Sequence, residues 1–194
     1  MSRCEAVSTP LCTGAKFSKN DGADKANGQI YRSIIGSLLY LAAIRPDIIF
    51  ATCLLSRFKQ DPLEIHFAAA KRILRYVKRT LDYGLIYKKQ KSSQLVEFSD
   101  SDWAVSLDDS KSIKGFCFSF GSAVFAWNSK KQQVVAQSTV EVEYITCAAA
   151  ANHAPWLRKL LVELGFKQDK GTLINVDKFV NSCNYKKPYS TWKD

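Results

Sequence analysis

The chain has 194 residues, 46% of them hydrophobic and 12% aromatic, enough for one domain or two small ones with a real core. Its net charge of +10 names nucleic acid as the first partner to consider, and its longest apolar stretch, Ile34 to Ile44, is too short to span a bilayer and carries Gly36 and Ser37. Six scattered cysteines without a C-x-x-C argue against zinc and redox motifs and for a reducing compartment, and Met1-Ser2-Arg3-Cys4 begins no signal peptide.

Residues 1–29 are polar and read as an extended arm. A first helix is expected from about Tyr31 to Ala43; it is apolar almost all round, so it should be buried. Pro46 suits the first position of a second helix ending near Phe58. A third helix should start with Asp61 as N-cap, Pro62 at N1 and Glu64 at N3 reaching back. On that helix Ala70, Ile73, Leu74, Val77 and Leu81 fall on one side. Lys71, Arg72, Arg75, Lys78 and Arg79 fall on another, and five cations with no intervening acid read as a ridge that could track phosphates. Residues 1–90 hold 15 Lys/Arg against 7 Asp/Glu, whereas residues 91–194 hold 13 against 11, so the basic excess sits in the first half.

After Gly84 the period turns extended. Leu85-Ile86-Tyr87 and Leu95-Val96-Glu97-Phe98 flank a polar turn, and Gly115–Phe120 and Ala123–Trp127 flank Gly121-Ser122 as a hairpin. A long helix should run from Thr139 to Leu164 and stop at Gly165, with Pro155 kinking or breaking it near Asn152–Ala154. A last strand lies near Leu173–Val176. Strand, strand, strand, helix, strand implies a mixed sheet, with the helix returning the fourth strand parallel to the first.

Carboxylates gather at the ends of these elements. Asp100 and Asp102 point to the same side of a strand, so geometry alone does not choose between them. Ser138-x-x-Glu141 is a capping box, which occupies Glu141; Glu143, roughly 200° further round the helix, is free to face the sheet. Asp177 ends the last strand. Acidic groups converging from two strands and a helix start suit divalent cations.

Several motifs, in order, carry a resemblance. They are Tyr31-Arg32-Ser33-Ile34-Ile35-Gly36-Ser37-Leu38-Leu39-Tyr40-Leu41, Arg45-Pro46-Asp47-Ile48, Ala70–Lys78, Ser99-Asp100-Ser101-Asp102-Trp103-Ala104, Lys111–Gly115, Ser129-Lys130-Lys131-Gln132, Ser138-Thr139-Val140-Glu141-Val142-Glu143-Tyr144 and Trp156–Leu161. From about Cys4 to Asp177 the chain resembles the Pol polyprotein of copia-type retrotransposons, just after its reverse transcriptase core. The resemblance implies a mixed α/β chain: an arm (1–29), a small helical connection region (30–84) and an RNase H-like mixed sheet (85–194) that is incomplete at its C-terminal end.

It further implies an ancestral endonuclease that cuts RNA in RNA–DNA hybrids during reverse transcription. Asp100, Glu143 and Asp177 would be both the catalytic and the metal-holding groups, for two Mg²⁺ or Mn²⁺ ions. The implied partners are the hybrid or another nucleic-acid duplex and an upstream reverse transcriptase core, with no membrane. The implied location is the cytoplasm, in a virus-like particle context, or the nucleus, without secretion. The alternative is a catalytically inactive remnant that at most binds duplex or serves as an interaction module. Residues 176–182, Val-Asp-Lys-Phe-Val-Asn-Ser, stand where the family usually shows C-D-N-x-S-A-I, and a last strand, last helix and fourth carboxylate of the family pattern are expected to be missing.

Overall fold

The computed structural model describes residues 4–90 and 93–176. In chain order it has α1 (Gly28–Leu41), α2 (Ile49–Leu55) between the one-turn 3-10 segments Pro46–Ile48 and Ser56–Phe58, and α3 (Glu64–Arg79). Strands β1 (Leu95–Asp102), β2 (Ile113–Phe120) and β3 (Ala123–Lys131), helix α4 (Thr139–Glu163) and strand β4 (Leu173–Val176) follow. Two compact units result. Among the described residues, one takes the chain through Gly84 and adds Ala104–Lys111 and Ser129–Val135; the other takes Leu85–Trp103, Ser112–Asn128 and residues 136–176. Among the described residues no helix is long and apolar enough to cross a membrane.

In the helical unit, the Asn27 side chain caps α1 by accepting from the Gln29 and Ile30 amides, 3.1 Å each. Helix α1 is not buried all round as its composition suggests. Tyr31, Ile35 and Leu38 enter the core, while Tyr40 is 86% exposed. Three helices with one shared core have room for one stripe from each. Ile48, Ala51, Leu55 and Phe58 come from the α2 region and Ala70, Ile73 and Tyr76 from α3, with Val7, Leu11 and Phe17 of the arm packed against them.

Helix α3 begins two residues later than the Asp-Pro signal predicts. Its N-cap is Leu63. The cause is a pairing with the arm: Ala26 N donates to Pro62 O and Glu64 N to Asp24 O, both at 2.9 Å, so residues 62–64 are held against the arm as the helix begins. Asp61 pairs with Lys25 at 3.1 Å instead of capping. The Leu63 amide is taken by His66 Nδ1 at 3.1 Å. That acceptor role puts the ring proton on Nε2, which donates to Ser18 O at 3.1 Å. Fully buried and stacked on Phe58 (ring centroids 3.8 Å apart), His66 is structural, and burial lowers its pKa. Leu81, expected on the apolar face, lies beyond the helix and is 78% exposed.

One ion pair ties this unit together. The buried Arg45 guanidinium grips both oxygens of Asp47 (2.9 and 2.6 Å) and donates to Thr80 O and Oγ1 (2.8 and 2.7 Å). Tyr76 OH donates to Asp47 Oδ2 at 2.8 Å. Burial works to raise the Asp47 carboxyl, but the bonds from Arg45 and Tyr76 outweigh it and hold the pKa low.

The second unit is a four-stranded sheet in the order β3-β2-β1-β4, antiparallel except for the parallel pair β1 and β4. This is the mixed sheet expected of an RNase H-like domain. Gly121, at φ 66, makes the β2–β3 turn. Residues 85–87, expected as a strand, form none. Tyr87 OH and Lys88 N reach Val124 O (2.9 Å) and Ser122 Oγ (2.8 Å), so side-chain bonds replace a ladder there. Helix α4 covers one sheet face, with Ala154, Leu157 and Leu161 packed on Leu95 and Phe118.

That packing explains why α4 runs unbroken through Pro155. An interior proline costs about 3 kcal/mol. Burying Leu157 and Leu161 beyond it gives back roughly 1.5–3 kcal/mol each. The helix then stops in a Schellman turn: Gly165 at φ 83 donates to Val162 O (3.0 Å) and Phe166 to Leu161 O (2.7 Å). The described cysteines are all free; Cys4 and Cys12 are exposed and Cys53, Cys117 and Cys147 half-buried.

A carboxylate lies inside the sheet–helix layer. The alternation of β1 turns Leu95, Glu97 and Ser99 to the buried side. Glu97 is fully buried, and neither carboxylate oxygen has a hydrogen-bond partner among the described residues. Burial pushes its pKa from 4.5 up to about 8.

Two outcomes are expected. Asp47→Ala leaves the Arg45 charge buried without its partner and should cost about 3 kcal/mol in urea unfolding. Glu97 stays protonated in the fold while the unfolded chain ionises it above pH 4.5. Its contribution is therefore full below pH 4.5 and declines as pH rises toward 8, by on the order of 3 kcal/mol at pH 7. Urea unfolding between pH 4.5 and 8 should show this decline, and Glu97→Gln should flatten it.

Candidate active site

The site is built where β1 ends and α4 begins. Parallel pairing sets Phe98 opposite Asn175 and Ser99 opposite Val176. The Asn175 amide reinforces the ladder by donating to Glu97 O at 2.9 Å, and Ser99 Oγ donates to Asn175 O at 3.4 Å. Asp100 emerges exposed from the strand, its Oδ1 accepting from the Ser101 amide at 2.7 Å.

On the helix side, Ser138 is the N-cap and its hydroxyl accepts from the Glu141 amide at 3.2 Å. Glu141 Oε2 reaches back to the Gln137 amide at 2.8 Å, so this carboxylate is held at the cap. Val142, Glu143 and Thr146 turn inward, and Glu143 is only 4% exposed. Ser99, Asp100, Ser101, Glu143, Thr146 and Val176 line one cleft. Asp102, two residues further along β1, is not among the lining residues.

The cleft thus brings together Asp100 and Glu143 and adds three hydroxyls that sequence reasoning passed over. Ser99 could have been found from the alternation of β1, and Thr146 from its place three residues after Glu143 on the same helix face. Asp177, the third carboxylate expected, lies outside the described residues, as does Lys178. Among the described residues no three His, Cys, Asp or Glu side chains come together in a metal-binding group. His153 lies against Phe116, ring centroids 5.1 Å apart.

The basic face of α3 is largely committed within its own unit. Arg72 Nη2 donates to Thr9 Oγ1 (2.9 Å), Arg75 Nε to Glu5 O (2.5 Å) and Lys78 Nζ to Cys4 O (3.0 Å). Three of the five ridge cations therefore hold the arm. Lys71 is exposed with its ammonium 3.9 Å from the Phe67 ring centroid, and Arg79 is exposed at the helix end.

No protein-family model matches the chain, and no solved structure matches it. Curated relatives do. It is 38% identical over 177 residues to the retrovirus-related Pol polyprotein from transposon RE1 of Arabidopsis thaliana, and 37% identical over 177 residues to that from transposon RE2. Each match covers 91% of this chain and 12% of the relative. It is also 39% identical over 128 residues to the secreted RxLR effector protein 161 of Plasmopara viticola, covering 66% of this chain and 90% of that protein. With such identity over nine-tenths of its length to polyproteins of which it spans about an eighth, the chain belongs to the retrovirus-related Pol polyproteins of copia-type transposons.

Proposed function

We propose that this Pol segment carries an RNase H-type site that cuts the RNA strand of RNA–DNA hybrids. The observation that carries the reading is the shared cleft of Asp100, from a strand end, and Glu143, from the first turns of the crossing helix. Their donors are hard oxygens, as are the Ser99, Ser101 and Thr146 hydroxyls, a set suited to Mg²⁺ or Mn²⁺ and not to a thiophilic metal. When bound, such an ion supplies Lewis-acid activation of water and neutralises charge building on the phosphodiester. Asp100 is the more exposed of the two, and Glu143 is nearly buried. Asp177 is included in the proposal by resemblance alone.

The chain also has cations for the duplex backbone. Lys71 and Arg79 are exposed and available to phosphates, and 2′-hydroxyl contacts would separate RNA from DNA. A second reading, duplex binding without cleavage, is favoured by one fact: only two carboxylates line the cleft among the described residues. An upstream reverse transcriptase core is the proposed protein partner, by family membership.

Labelled-hybrid cleavage in Mg²⁺ or Mn²⁺ separates the readings. Asp100→Asn and Glu143→Gln should each reduce cleavage by at least about 100-fold while leaving hybrid affinity in place. Binding without any cleavage by the parent chain supports the second reading. For the backbone contacts, Lys71→Ala and Arg79→Ala should each lower the log–log salt slope of hybrid binding by roughly 0.9. Arg72→Ala and Arg75→Ala should instead lower the unfolding midpoint, because their partners are in the arm. An unchanged slope in the Lys71 and Arg79 variants means that this face meets only solvent.

A further inference from the structure

Trp103 follows directly on the last residue of β1, and its indole Nε1–H donates to Ala136 O at 3.2 Å. Ala136 is nearly buried and stands just before the helix cap. From there the backbone is fixed step by step: Gln137 N bonds Glu141 Oε2, Ser138 Oγ accepts from Glu141 N, and Val142 N donates to Ser138 O. Glu143 is the next residue. One side-chain hydrogen bond therefore closes the path from Asp100, three residues before Trp103, to Glu143 on the helix.

Core packing does not account for this tryptophan. Its side chain remains 47% exposed, and it is absent from the apolar cluster of Leu95, Phe118, Ala154, Leu157 and Leu161. Immediately after it the chain turns through Ala104 at φ 50, a left-handed conformation that a residue with a Cβ adopts at a cost of about 1–2 kcal/mol. Such a turn persists where neighbouring bonds define the backbone.

We propose that Trp103 is a positioning residue for the carboxylate pair. Its N–H holds the strand-like entry to α4 against the end of β1 and so sets the separation of Asp100 and Glu143. The inference rests on the reading of this cleft as a divalent-metal site. Outer groups that orient ligands in this way typically affect metal affinity 10–100-fold.

The test is Mn²⁺ binding to the full 194-residue chain, followed by electron paramagnetic resonance, beside the Mn²⁺ dependence of hybrid cleavage. Trp103→Phe keeps an aromatic ring and removes the donor. It should weaken Mn²⁺ binding about 10-fold and shift the half-saturating Mn²⁺ for cleavage equally, with kcat recovered at high Mn²⁺ and KM for hybrid unchanged. If Trp103→Phe does not fold, benzothienylalanine at position 103, which has the indole shape without the N–H, should give the same shift.

Parent-like Mn²⁺ affinity in the variant that folds, even with a lowered melting point, overturns the proposal and leaves the bond a purely structural one. So does a rise in KM for hybrid in Trp103→Ala with no change in Mn²⁺ affinity in Trp103→Phe, which would make the ring a stacking surface. Failure of the underlying reading looks different: parent and Asp100→Asn would bind Mn²⁺ equally weakly, and the positioning role would fall with the site.

Discussion

A parallel neighbour for β1 is the constraint from which the site follows. Antiparallel strands can be joined by a tight turn, as β2 and β3 are at Gly121-Ser122, but a strand returning parallel must first cross a sheet face. Here α4 makes the crossing over Thr139–Glu163, and β4 then pairs with Val96–Ser99. Strand β3 runs in the same direction as β1, since each is antiparallel to β2, so it delivers the chain to the end where β1 finishes. The first turns of α4 therefore lie beside Asp100. Residues distant in sequence meet there because of strand direction, and the cap at Ser138 decides which glutamate turns inward.

The same crossing makes β1 an interior strand covered by a helix, and that has a cost. Glu97 sits on the covered side, fully buried with both oxygens unpartnered among the described residues. Burial favours the neutral, protonated form, hence its raised pKa. The helical unit meets a similar problem in the opposite way. Arg45 and Asp47 share their charges, and Thr80 and Tyr76 take up remaining donors and acceptors. The two units thus show both routes by which a titratable group survives burial: loss of the charge, or a partner with enough hydrogen bonds.

Much of this was legible in the sequence because the signals were local and unopposed. The Ser138 cap, the Gly165 stop, the Gly121 turn and the inward Glu143 each depend on a few neighbouring residues and on backbone rules. The failures arose where a distant partner intervened. Asp61-Pro62 is a good helix start, yet pairing with Asp24 and Ala26 moved the cap to Leu63. Pro155 is a good helix breaker, yet the core contacts of Ala154, Leu157 and Leu161 carry α4 past it. The apolar run of α1 suggested burial on all sides, but its neighbours cover one stripe. At the site, Asp100 and Glu143 were legible as motif residues, whereas the Trp103–Ala136 bond was not, because its acceptor is a backbone carbonyl that no side-chain pattern announces.

The cations show the same limit in another form. A charge of +10 can be counted from composition, but its allocation depends on what the fold places nearby. Arg75 and Lys78 donate to backbone carbonyls of Glu5 and Cys4, which any sequence could offer, and Arg72 donates to the Thr9 hydroxyl. These bonds are ordered by apolar contacts, since Val7 and Leu11 of the arm pack against the core that α3 helps to form. A guanidinium directed at a protein carbonyl presents fewer donors to a phosphate than one directed at solvent. Five cations on one helix face are therefore not five equivalent phosphate contacts. Lys71, Lys78 and Arg79 are the exposed members of that face, and Lys78 joins the half-buried Arg72 and Arg75 in holding the arm.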